Sequence, residues 1–255
     1  MDCGEKMEKY INLTLENIEQ EHVCCIIRSK AQPMGVLKKK EWLKERLKEG
    51  HVFRKLNDFK ATVFIEYAPL EKAWVPIEGN NYIYIYCLWT LGEYRHKGYG
   101  KEFLEYAIEE AKNKGKSGLC FLGHMKQKTW LTNQDFFKGY GFKVVDETSG
   151  GYQVLALSFD GSYPKFSKQA KNEQIEEEEL TIFYTQQCPY IPVALKKVEN
   201  YCKENQIPFS FILVDSLEKA KNLPCPFNNF AVFYKGHFET VNLLDIPYLE
   251  RILKK

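Results

Sequence analysis

Tyr94-Arg95-His96-Lys97-Gly98-Tyr99-Gly100-Lys101 is the stretch of this 255-residue chain whose residue types and spacing best fit a chemical task. It sets four basic side chains, Arg95, His96, Lys97 and Lys101, around two glycines. An apolar run at 82–90 precedes it, and an amphipathic run begins near Gly98. A strand–turn–helix junction leaves the first helical N–H groups unpaired at the positive end of the helix dipole. Pyrophosphate is the natural ligand for that arrangement. Gly98 and Gly100 remove side chains that would keep the backbone from phosphate oxygens. Arg95 and Lys97 add charge, and an arginine can contact phosphate bidentately. The alternative is a tight turn that merely starts a helix. A dinucleotide-binding unit is not indicated, because the third glycine and the ribose-binding acid about 20 residues on are missing.

The elements that must position this loop alternate along the first 160 residues. YINLTLENI (10–18) suits a strand leading into a helix near 19–28. Residues 34–50 place Val36, Leu37, Leu43 and Leu47 at helical spacing, with Gly50 as a stop. HVFRKL and KATVFIEYAPL read as strands around an Asn57-Asp58 turn. YIYIYCLWT (82–90) is apolar on both faces, as a central covered strand should be. Phe103, Leu104, Ala107, Ile108 and Ala111 then form one helical stripe that ends near Gly115. GLCFLGH is a strand, a short helix follows at about 132–139, and KVVDET and YQVLALSF are two more strands. Residues 161–179 have few apolar positions and end in four glutamates, which predicts a linker or solvated segment. From 180 to 255 the expected order is β-α-β-α-β-β-α.

Composition narrows the function classes. Formal charge is +2 and evenly spread: residues 1–160 carry 24 basic against 22 acidic side chains, and residues 161–255 carry 12 of each. Nucleic acid is therefore not an expected partner. Mean hydropathy is −0.43, and no run approaches the ~20 apolar residues of a membrane helix. The polar start, MDCGEKMEKY, has no signal-peptide pattern, so a soluble cytoplasmic protein is expected. The eight cysteines form no C-x-x-C pair or zinc-site spacing, so reduced thiols and no metal are expected.

The stretch YIYIYCLWTLGEYRHKGYGKEFLEYAIEEAKNKG resembles the GNAT N-acyltransferase motif Q/R-x-x-G-x-G/A, and FFKGYGF (136–142) resembles that family's closing segment. The resemblance covers about residues 10–160. It implies acetyl-coenzyme A as co-substrate, with Arg95, His96, Lys97, Gly98, Tyr99, Gly100 and Lys101 around the pyrophosphate. It also implies that the strand end Leu88, Trp89 and Thr90 pairs with the pantetheine arm. FIEYAPLEKAWVPI, the YCLW strand, TQQCPY and PFNNFAVFYKG look like the YoaP-type members, which carry a small thioredoxin-like domain after the GNAT domain. The implied fold is α/β: a GNAT mixed β-sheet flanked by helices over 1–160, a linker over 161–179, and a thioredoxin-like domain over 180–255.

Acetyl transfer to an amine needs a base for the ammonium and a donor for the departing thiolate. Where many family members place a donor tyrosine, counting back from Gly141-Phe142, this chain has Phe137, which cannot donate a proton. Tyr140 lies one residue before Gly141, and Trp130 stands where many relatives have asparagine. Glu66 is the first candidate base, since a lone carboxylate among apolar strand residues is costly unless paired or used. Its alternative is a solvated glutamate on a strand edge. His124 is the second candidate, against a surface-loop histidine. Tyr82, Tyr84 and Tyr86 share one strand face and read as core. Glu71 and Trp74 are candidates for an acceptor pocket.

Cys188-Pro189-Tyr190 resembles the start of a glutaredoxin motif, with Ile191 in place of the second cysteine. A thiol at a helix N-terminus is a candidate redox nucleophile, and Cys225 is a possible neighbour. Two readings follow. One is an acyltransferase acting on a small-molecule or protein amine. The other is a thiol redox or sensing protein whose GNAT domain binds coenzyme A without efficient transfer.

Overall fold

The computed structural model describes residues 8–23 and 33–255. The helix expected near 19–28, and Cys3, Cys24 and Cys25, fall wholly or partly outside them. In chain order the elements are β1 (Tyr10–Asn12), α1 (Pro33–Leu47), β2 (Val52–Leu56), β3 (Val63–Pro69), β4 (Ile77–Glu78), β5 (Tyr82–Thr90), α2 (Tyr99–Asn113) and β6 (Gly118–His124). There follow α3 (Gln134–Lys138), β7 (Lys143–Glu147), β8 (Tyr152–Ser158) and β9 (Lys165–Phe166). The chain ends with β10 (Leu180–Tyr184), α4 (Ile191–Glu204), β11 (Phe209–Leu213), α5 (Leu217–Lys221), β12 (Phe230–Tyr234), β13 (His237–Thr240) and α6 (Ile246–Leu253). The strand expected over 10–18 stops at Asn12. Thr14 caps a turn there, its Oγ1 accepting from the backbone N–H of Glu16 at 3.2 Å.

The first sheet has seven strands in the order β1-β2-β3-β5-β6-β8-β7, with β5 at its centre. All neighbours are antiparallel except β5 and β6. Those two pair only over Tyr82–Tyr84 with Gly118–Cys120. Beyond that point the paired register ends, and a wedge opens between β5 and β6. A bulge in the β3–β5 ladder adds to it: Glu66 faces Cys87 while Tyr67 faces Ile85, so Tyr86 is the extra residue. A bulge turns two successive side chains to one side and reverses the alternation after them. Leu88 thus packs with the α2 core, whereas Cys87 and Trp89 pack with the opposite one.

The second sheet has the order β11-β10-β12-β13, with β10 parallel to β11 and antiparallel to β12. Helices α4 and α6 cover one face through Ile191, Val198, Leu249 and Ile252. The other face is covered by the first unit: Phe227, Ala231 and Phe233 share a cluster with Trp42, Phe53, Phe64 and Trp74. The tyrosines of β5 belong to this junction. Tyr84 donates to Asn228 Oδ1 at 2.8 Å, and Lys221 Nζ donates to the carbonyls of Leu70 and Ile77 at 2.8 and 3.0 Å.

Residues 161–179 differ from the expected solvated linker. Phe166 and Ala170 are buried in the core, and β9 pairs with β4. Glu173 accepts from the hydroxyls of Thr148 and Ser149 and the N–H of Gly150. Few apolar side chains suffice here, because Pro164, Phe166 and Ala170 are buried and the backbone is held by ladder and side-chain bonds.

Candidate active site

Helix α2 is preceded by Gly98 at its N-cap, whose φ of 85° is the left-handed conformation that glycine adopts without strain. No side chain caps this helix. The first-turn carboxylate, Glu102, is instead drawn outward by Lys9 Nζ at 2.6 Å and Tyr10 Oη at 2.5 Å. The leading N–H groups of α2 are thus left to an outside acceptor. They face a cleft of about 470 Å³ lined by Leu88, Thr90, Arg95, His96, Gly98, Tyr99, Gly100 and Lys101, with Thr132, Asn133, Phe136 and Phe137 across from them. A Cβ on Gly98 would meet nothing within 4 Å, and one on Gly100 would lie 3.7 Å from Phe136 and 4.0 Å from Thr90. The cradle is therefore open backbone at Gly98, and at Gly100 it narrows to the width of the cleft. A pyrophosphate and a slender arm fit it in shape and charge.

Of the residues expected to hold the coenzyme, Lys97 and Trp89 do not line the cleft. Lys97 Nζ lies 5.8 Å from the centre of the Tyr94 ring, and the bulge turns Trp89 to the other face of β5. Phe137 is fully buried against Phe121 and Phe142, at 4.5 and 5.1 Å between ring centres. It bounds the cleft as a wall. Tyr140 lies tilted against Phe136, 5.2 Å between ring centres, and does not line the cleft.

Glu66 is neither solvated nor on an edge. It is fully buried, with Lys39 Nζ at 2.7 Å and His51 Nε2 donating at 3.0 Å. Burial alone would raise its pKa, but the Lys39 charge and the His51 hydrogen bond outweigh burial and hold it below 4.5. His51 is pushed below 6.5 by burial, against the pull of Glu66. A carboxylate clamped this way is a poor proton acceptor. His124 is corrected more sharply. It is buried with both ring nitrogens engaged: Nδ1 accepts from Lys126 N at 2.9 Å, and Nε2 donates to the Gly150 carbonyl at 3.1 Å. Its pKa is lowered by burial and by Lys128, so it is a neutral brace for the 124–151 turn.

The remaining candidates separate. Glu71 accepts from the backbone of Asn81, and Trp74 is core beneath the Arg46 guanidinium, 4.5 Å from the ring centre. Tyr82, Tyr84 and Tyr86 are buried, with hydroxyls bonded to Ser162 O, Asn228 Oδ1 and Trp74 N. Cys188 lies three residues before α4 and lines a second cavity together with Glu66, Cys87, Trp89, Trp130 and Asn228. Cys225 is buried in the cluster beneath the second sheet, and its thiol is pushed up by burial. Sequence reasoning missed Gln187, Asn228 and Asn229 in this cavity, and Thr132 and Asn133 in the cleft. Only Asn133 carried a signal, as a helix cap accepting from Asp135 N and Phe136 N.

Among the described residues no cluster of side chains could hold a metal, and no helix is long and apolar enough to cross a membrane. A model of the acetyltransferase (GNAT) family matches residues 15–142, and a YoaP-like one matches residues 208–251. The chain is 37% identical to "Uncharacterized N-acetyltransferase YoaP" of Bacillus subtilis (strain 168), over 96% of this chain and 98% of that protein. Similar solved structures include the paia N-acetyltransferase of Thermoplasma acidophilum in complex with coenzyme A (18% identity, 60% of this chain and 100% of that one, TM-score 0.41). Another is a GNAT acetyltransferase of Brucella melitensis in complex with acetyl-CoA (11% identity, 62% and 92%, TM-score 0.40). The family match over residues 15–142 and the 37% identity to the Bacillus subtilis protein show that the chain belongs to the GNAT family of acetyl-CoA-dependent N-acetyltransferases.

Proposed function

We propose that this enzyme transfers the acetyl group of acetyl-CoA to a primary amine presented from the second cavity, with Gly98–Lys101 holding the pyrophosphate and Leu88 and Thr90 flanking the pantetheine arm. The observation that carries this reading is the uncapped start of α2 opening onto the wedge between β5 and β6. Acetyl-CoA supplies an activated thioester carbonyl, which a neutral amine can attack. Backbone N–H groups along the free edge of β5 beyond Tyr84 are available to steady the oxyanion. The amine loses its proton to water, since Glu66 and His124 are both committed. Thiols ionise at about 8.5. The coenzyme can therefore leave as thiolate and take a proton from solvent, which makes Phe137 compatible with turnover.

The second unit we read as thioredoxin-like. Support comes from its β-α-β-α-β-β-α order and its strand order with one parallel pair. The position of a second redox cysteine is Ile191, which is fully buried. A dithiol mechanism within that motif is thus excluded, and Cys188 serves as a cavity wall.

The test is incubation with acetyl-CoA and a mixture of primary amines, with mass spectrometry of the products. N-acetylated amine together with free coenzyme A is expected. Hydrolysis of acetyl-CoA without any acetylated amine would contradict the proposal.

A further inference from the structure

The cavity on the Trp89 side of β5 measures about 70 Å³ and lies between the two units. One wall is Phe64, Cys87 and Trp89, and the other is Gln187 and Asn228. Gln187 is only 2% exposed, yet both of its amide atoms are buried without a hydrogen-bond partner among the described residues. The indole N–H of Trp89, across the same cavity, is likewise buried and unpartnered. A buried polar group left unpaired costs about 1–3 kcal/mol. Three such atoms around one small cavity mark a place where a polar ligand completes the bonding.

The cavity backs onto the coenzyme cleft. Cys87 and Trp89 wall the first, and the alternate residue Leu88 walls the second. Trp130 and Leu243 are shared with an outer vestibule of about 620 Å³ that carries Lys197 and Arg251. Since a water occupies roughly 30 Å³ in the liquid, the inner cavity admits only a small group. The vestibule has room for whatever that group is attached to.

We infer that this is the acceptor site, that the second unit builds half of it, and that Gln187 selects acceptors with an amino group next to a carbonyl: an amino acid amide or a peptide N-terminus. Gln187 Oε1 accepts from the amine N–H, and Nε2 donates to the carbonyl oxygen of the same acceptor. A side-chain amide offers one acceptor and one donor side by side, and an α-amino carbonyl unit presents the complementary pair. A plain alkyl diamine satisfies Oε1 and leaves Nε2 unpaired, and a site built around buried polar groups rejects such analogues strongly. This inference rests on the acetyltransferase reading.

The full chain is to be assayed with acetyl-CoA against glycinamide, triglycine and 1,3-diaminopropane, with acetylated product read by mass spectrometry. Glycinamide and triglycine are expected to exceed diaminopropane at least about tenfold in kcat/KM. The better of the two identifies a free amide or a peptide terminus as the preferred source. Gln187→Leu is expected to raise KM for both about tenfold to a hundredfold, with a smaller change in kcat and an unchanged Kd for acetyl-CoA. Should that variant fold poorly, the wild type gives a second readout. Bound glycinamide, with coenzyme A present, is expected to slow N-ethylmaleimide modification of Cys188, as read by peptide mapping, and diaminopropane is not. Equal use of all three amines, a KM for glycinamide untouched by Gln187→Leu, or Cys188 labelling indifferent to glycinamide overturns the inference while leaving the transferase reading intact. Acetyl-CoA binding with no amine acetylated overturns both.

Discussion

Glu66 shows how far a single residue can be read from sequence. Its cost as a lone strand carboxylate was legible, but its partners were not, because Lys39 and His51 lie 27 and 15 residues away along the chain. Breaking a buried ion pair on one side costs more than the pair contributes, since the remaining charge stays buried. Glu66→Gln is expected to lower unfolding free energy by about 3–5 kcal/mol; urea denaturation measures it, and a change below about 1 kcal/mol contradicts the buried triad. His51 gives a pH signature. Its folded pKa lies below its ordinary 6.5, so on acidification the unfolded chain takes up a proton that the folded chain refuses. Stability is therefore full above about pH 6.5 and falls below it. Glu66, also depressed, adds a second loss below 4.5 as pH approaches its folded value. Thermal melting from pH 7.5 to 5.5 checks the first step, to which the depressed His124 also contributes and which His51→Gln should reduce. The Arg95–Lys101 loop was readable as an open helix start because its signal is contiguous: two glycines at the head of α2, all local.

At the scale of elements, the strands and helices around the cleft follow from periodicity, and β5 runs over the expected residues. The bulge at Tyr86 does not follow, because one extra residue in an apolar run leaves no compositional mark. That bulge decides which of Leu88 and Trp89 faces the cleft at the head of α2. A second contact hidden from sequence sits on α1, where a Cβ on Gly35 would lie 2.3 Å from the Pro189 carbonyl oxygen. Only glycine lets α1 approach the loop that carries Gln187 and Cys188. Gly35→Ala forces backbone to move, and overpacking of this kind costs about 1–3 kcal/mol. Chemical denaturation should show that loss, although alanine is the better helix former by about 1 kcal/mol. A stabilised variant contradicts the contact.

Across the whole molecule, the two sheets share their cores. Phe227 and Phe233 pack with Trp42 and Phe53, and Val241 with Tyr152 and Tyr84. The segment 161–179 is stitched to the first unit by Phe166 and Glu173, so the low apolar content that suggested a solvated linker concealed a packed strap. A single cooperative unfolding transition is expected in calorimetry; two well-separated transitions would contradict a shared core. The central claim is that the head of α2 holds acetyl-CoA, and calorimetric titration of wild type and Gly100→Arg tests it most directly. A longer side chain at position 100 must fill the space between Phe136 and Thr90. Wild type is expected to bind, and to gain about 2.7 kcal/mol of stability at a hundredfold excess over Kd. Gly100→Arg is expected to weaken binding at least about a hundredfold, since it removes the open backbone. No heat and no stabilisation of wild type at about 1 mM acetyl-CoA, the concentration at which even a −4.1 kcal/mol site half fills, would contradict the account.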